Sequence, residues 1–173
     1  MLDRALIHAH TEYMSNRTQT FDFGSGPVPA HQHPNGGGWV ANTALVAKTV
    51  YVGRNARVYG RARVTGNARI YGRAMVYGNA MVRGNARVHG NARIYGRAMV
   101  YGDACVYGNA WVYGHARVHG NVRVHNDAWV YGNARLRGDA RLYCVTRIYR
   151  NIVITTGWYA WPFIDYDFCS PCV

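Results

Sequence analysis

The sequence predicts an all-β protein in which one chain winds as a solenoid of very short strands. Three observations carry that prediction. Counted in sixes from Val40 to Ile154, all twenty positions are Val, Ile or Leu. Two residues before each aliphatic, from Val46 onward, fifteen of nineteen residues are Ala, the others being Val50, Val122, Thr146 and Ile152. Two residues after it stands Gly, unbroken from Gly60 to Gly120, followed by Asn126, Gly132 and Gly138.

Each element follows from the pattern. In the stretch Asn55–Tyr59 (Asn-Ala-Arg-Val-Tyr) the Ala and Val side chains project to one side of an extended chain. The Asn, Arg and Tyr side chains project to the other, which is the period of two of a β-strand. Gly followed by Asn or Asp then supplies a corner, because a positive φ is cheap there. A strand and a corner every six residues wrap the chain around a narrow prism, and Ala beside Val fills an interior with room for little else. The register holds over 115 residues, a self-similarity that marks a repeat architecture.

Three segments follow. Residues 1–37 form an N-terminal cap and the loop leading into the first coil. Leu2, Ala5, Leu6, Ala9, Tyr13 and Met14 stand at helical spacing, and a Gly-, Pro- and His-rich stretch runs on to Trp39. Residues 38–154 are the repeat itself. Residues 155–173 form an aromatic tail whose Trp158, Trp161, Phe163 and Phe168 are expected to cap the last coil or dock on a neighbouring chain, with Asp165 and Asp167 meeting the basic wall. Both expectations rest on the unpaired strand edges that any solenoid exposes at its ends.

Charge narrows the function. Twenty basic residues, nineteen of them Arg, stand against eight acids, a net charge of +12. Such a surface attracts nucleic acid or an acidic protein. The N-terminus lacks the apolar core of a signal peptide and no apolar run is long enough to span a bilayer, so a cytoplasmic location and no membrane partner are expected. The four cysteines make no disulfide framework.

The motif, with its aliphatic, Ala and Gly positions in wording such as Asn55–Gly60 (Asn-Ala-Arg-Val-Tyr-Gly), resembles the hexapeptide repeat of left-handed parallel β-helices. It is most similar to the bacterial and phage hexapeptide proteins called polymer-forming or transferase-like. The resemblance implies left-handed winding, three hexads per coil, about six coils and a homo-oligomer, with a trimer favoured. It implies little about activity, because this scaffold serves acyltransferases, carbonic anhydrase-like proteins and non-catalytic assemblies alike.

Eighteen residues per coil would stack equivalent positions about 4.8 Å apart. One outward column then reads Tyr59, Tyr77, Tyr95, Tyr113, Tyr131, Tyr149, and a second Tyr71, His89, Tyr107, His125, Tyr143. Arginines fill three more: Arg69, Arg87, Cys105, Arg123, Arg141; then Arg63, Met81, Met99, Arg117, Arg135; then Arg57, Met75, Arg93, Trp111, Trp129, Arg147. Stacked aromatics stabilise adjacent strands whatever the function. Rows of guanidinium groups do not, since neighbouring like charges near 5 Å repel by roughly 1 kcal/mol even in water. The expected anion-binding residues are therefore Arg63, Arg69, Arg87, Arg117, Arg123, Arg135 and Arg141, with the six tyrosines from Tyr59 to Tyr149 giving aromatic stacking.

No cofactor, metal site or catalytic residue is expected. His8, His10, His31 and His33 have neither zincin nor zinc-finger spacing and read as solvated loop histidines. His89 and His125 lie two coils apart, too far to share one metal ion. Cys169 and Cys172 have CxxC spacing, but no second pair follows. His115 or His119 could serve as a general base only with an acidic partner, and none stands at a suitable spacing. The reading is a non-catalytic basic module that binds an anionic partner, in the manner of a phage-type accessory or host-interference protein. An acyltransferase-like enzyme with a site between subunits and a self-assembling structural protein are the alternatives.

Overall fold

A computed structural model describes residues 19–159. The alternation dictates what it shows: every Ala and aliphatic of the repeat from Ala56 to Leu142 is buried, and together they make one continuous core along the axis. Strands of two to four residues form three parallel sheets, and each successive strand belongs to the next sheet, as winding requires. Seven strands line each side, so the solenoid has seven turns from Trp39 to Tyr159, against about six expected. All described elements are strands.

The register between turns is eighteen residues. On the first side Trp39 pairs with Arg57, Arg57 with Met75, Met75 with Arg93, Arg93 with Trp111, Trp111 with Trp129 and Trp129 with Arg147. Backbone bonds tie the turns at both strands and corners, as from Tyr77 N–H to the Ile94 carbonyl (2.9 Å) and Asn79 N–H to the Gly96 carbonyl (2.8 Å). At the corners Gly takes a left-handed φ of about 70°, for example 70° at Gly96. A Cβ there would also meet the backbone nitrogen of Gly114 at 3.0 Å, so conformation and close approach both select Gly.

Two differences from the sequence reading lie at the ends. The stretch before Trp39 is a hairpin rather than a loop: β1 (Thr20–Asp22) pairs antiparallel with β2 (Pro27–Gln32), and β2 pairs antiparallel with β3 (Trp39–Ala41). Its turn is held by Asp22 Oδ1, which accepts from Gly24 N–H (2.7 Å) and Gly26 N–H (3.0 Å). The hairpin covers the open edge of the first sheet. The following turn folds over the third, where Val52 N–H donates to the Asn35 carbonyl (2.9 Å). That turn buries His33, which is only 3% exposed, whereas His31 remains exposed beside Asn42 Oδ1 at 2.8 Å. His33 is therefore not the solvated loop residue that composition indicates.

At the other end the coil continues past residue 154. Arg141 pairs with Trp158 and Leu142 with Tyr159, a step of seventeen residues instead of eighteen. Tyr159 thereby takes an inward aliphatic place, half-buried against the core, with its carbonyl accepting from Thr146 Oγ1 (3.0 Å). The expected cap at residues 2–14 and the tail residues Trp161, Phe163, Phe168, Asp165, Asp167, Cys169 and Cys172 lie outside the described residues.

Candidate anion-binding surface

The strand period leaves two outward positions on each side, and the register turns each into a column. The third side carries Tyr51, Arg69, Arg87, Cys105, Arg123, Arg141 and Trp158 in line. The second carries Leu45, Arg63, Met81, Met99, Arg117, Arg135 and Val153. All expected arginine columns form, but the seven expected anion-binding arginines divide between two sides. Arg69, Arg87, Arg123 and Arg141 share the third, while Arg63, Arg117 and Arg135 share the second.

Among the described residues, no carboxylate pairs with the four arginines of the third side. Arg69 lies over the Tyr51 ring (5.3 Å) and Arg141 over Trp158 (5.0 Å), contacts that fix a guanidinium without neutralising it. The described acids stand elsewhere. Asp103, Asp127 and Asp139 sit at corners and accept from the side-chain amides of Asn85, Asn109 and Asn121 at 3.0, 3.1 and 3.0 Å. Residues 19–159 contain seventeen arginines and one lysine against four aspartates, so the basic excess belongs to the solenoid itself.

The tyrosines stack on one another. Centroids from Tyr59 through Tyr131 are 4.8–5.0 Å apart with planes within 5° of parallel, and Tyr149 continues the row at 5.5 Å and 16°. Their faces are thus taken by neighbours, and ring edges line the wall. Phe23 extends the row above Tyr59 (4.8 Å), over the place of the small Ala41. On the third side Tyr71, His89, Tyr107 and His125 stack at 4.7–5.0 Å, and Tyr143 meets His125 edge-on. A further column went unread in the sequence, although the same count reveals it. On the second side Arg83 lies over Tyr101 (4.7 Å), and Tyr101 stacks on His119 (4.6 Å).

Burial is the largest influence on the titration of Tyr95, His89, Cys105 and His119. It raises Tyr95 to about 12, with the Tyr113 and Tyr77 phenolates acting in the same direction and Arg93 opposing. Burial, then Arg87, lowers His89 below the ordinary imidazole value, so the ring is neutral at pH 7. Cys105 Sγ lies 3.7 Å from His89 Nε2, yet burial raises the thiol against the pull of Arg87 and Arg123. A protonated thiol beside a neutral imidazole is an unactivated pair. His119 is lowered by burial and then Arg137.

Fold and surface together define a parallel β-solenoid repeat protein with basic and aromatic columns. Within that class, residues 56–72, 68–83, 76–90 and 92–108 match the YdcK beta solenoid repeat family. The matched segments amount to less than half of the chain, so the chain is similar to that family over its central turns. Comparison with curated proteins and with solved structures gave no match. No described helix is long and apolar enough to cross a membrane.

Proposed function

We propose that the chain is a left-handed hexapeptide β-helix that acts as a non-catalytic docking module for a polyanion, with the phosphate backbone of a nucleic acid as the leading partner. One observation carries the reading: Arg69, Arg87, Arg123 and Arg141 stand in register on one side, while Asp103, Asp127 and Asp139, among the described acids, are engaged by asparagines at the corners. A surface of that kind costs electrostatic free energy unless an anion meets it. Because the ring faces are mutually stacked, the contact is with backbone charge and is independent of base sequence. In the phage-type setting that the repeat resembles, the partner is a host nucleic acid or an acidic host protein.

The test is binding of a single-stranded and a duplex oligonucleotide across a salt series. With four arginines engaged, log K falls against log salt with a slope of about −3 for the single strand and about −4 for the duplex. Changing Arg69, Arg87, Arg123 and Arg141 to Glu abolishes it. Binding that ignores salt, or survives those changes, overturns the reading; capture of an acidic protein by a chain that binds neither oligonucleotide reassigns the partner.

A second reading, self-association through the last turn, draws on the exposure of Val145, Val153 and Trp158, the last 67% exposed. Sedimentation velocity over a concentration series tests it: Trp158→Ser should lower the association state, and a concentration-independent monomer excludes it.

A further inference from the structure

A second basic feature lies on the first side and uses none of the four arginines just named. A cleft of about 540 Å³ opens there, within the size range of small-molecule sites. Arg54, Arg57, Arg73 and Arg93 line it together with Asn55 and Asn91, and no acidic side chain does so among the described residues. Its floor is Met75, which the register places between Arg57 on one turn and Arg93 on the next but one. Phe21 of β1 and Trp39 of β3 close one end, their rings stacked at 4.6 Å.

Two of the four cations are held in advance. Arg57 lies over Phe21 (5.2 Å) and Arg93 over Trp111 (5.0 Å). These aromatic contacts lie on opposite sides of the Met75 turn, so the guanidinium groups are anchored to flanking rings rather than to carboxylates. Cation–π contacts restrict the side chain and leave the positive charge for a ligand, which lowers the ordering cost of binding. Arg54 and Arg73 come from the preceding corner, so strand and corner cations converge on one volume.

From this geometry we infer that the cleft is a binding site for a compact polyanion carrying two adjacent phosphoryl groups. Four guanidinium groups lining one open cleft exceed what a single monoanion would balance, and the planar fork matches phosphate oxygens in pairs. The apolar end at Phe21, Trp39 and Met75 offers a wall for an attached organic group. The shared chemistry is the diphosphate; its source is either inorganic pyrophosphate or a phosphoester.

Isothermal titration calorimetry with pyrophosphate, ADP and adenosine on the full chain tests this. Pyrophosphate and ADP should bind one per chain and adenosine should not. Equal affinities identify the phosphates alone as the ligand, and tighter ADP identifies a phosphoester. Arg57→Ala with Arg73→Ala should weaken pyrophosphate binding at least tenfold, and so should the exposed pair Arg54→Gln with Arg73→Gln, which leaves the Phe21 contact in place. Arg123→Ala with Arg141→Ala, on the third side, should change it less than twofold. Absence of saturable binding, or equal weakening by both sets of variants, overturns the site. Oligonucleotide binding reads the third side separately, so either proposal can fail while the other stands.

Discussion

Tyr95 stacks on Tyr113 with ring centroids 4.9 Å apart and planes 2° from parallel, and both rings titrate above the ordinary phenol. Burial is the larger cause, and the neighbouring phenolate adds to it.

Alkaline pH should therefore destabilise the protein in a defined window. The unfolded phenol ionises at 10.0, while folded Tyr95 ionises at about 12. Between those values the unfolded chain has released a proton that the folded chain retains, so stability is complete below pH 10 and declines as pH rises. Denaturant midpoints measured from pH 9 to 12 should fall, and fall less in Tyr95→Phe.

Acid should act through His89 in the opposite direction. Its folded imidazole binds protons less readily than the unfolded reference at 6.5, because of burial and then Arg87. Stability is complete above pH 6.5 and declines as pH drops from there toward the folded value. His89→Tyr continues the stack between Tyr71 and Tyr107 and should flatten the pH 5–7 limb of the stability curve.

The corners give a pair of mutations of opposite sign. Gly96→Ala places a side chain at φ 70° and against Gly114, and should cost about 1–3 kcal/mol in denaturant unfolding. Cys144 occupies the equivalent corner place with φ 54°. Cys144→Gly should stabilise by about 1 kcal/mol.

The interior has no spare room. Ala98 is fully buried among aliphatic neighbours, so Ala98→Leu should destabilise by about 1–3 kcal/mol through overpacking, read as a lowered thermal midpoint.

Much of this was legible from the residues. A period of six with strand alternation places Ala56, Val58 and their equivalents inside, and the three-hexad coil makes Arg69 and Arg87 neighbours eighteen residues apart. The ends were less legible. The Gly- and Pro-rich composition of 24–29 conceals the start of β2, where Pro27 and Pro29 pair with Asp22 and Thr20 of β1 ahead of the segment Ala30–Gln32 that pairs with β3. The seventeen-residue step to Trp158 breaks the count that had located the strands from Trp39 to Ile154. The cleft escaped because Arg54 and Arg73 stand at corners, and Phe21 reaches it only through the hairpin. The stacked tyrosine column was legible from the eighteen-residue spacing, and the rings stack as expected.

The uniform eighteen-residue step between Arg57 and Arg141 makes the middle of this protein a ruler. Duplicating or excising one such unit would lengthen or shorten the rod by about 4.8 Å and leave the hairpin and the short final turn unchanged. Copy number, rather than point substitution, is the natural variable by which a lineage would set the length of such a rod.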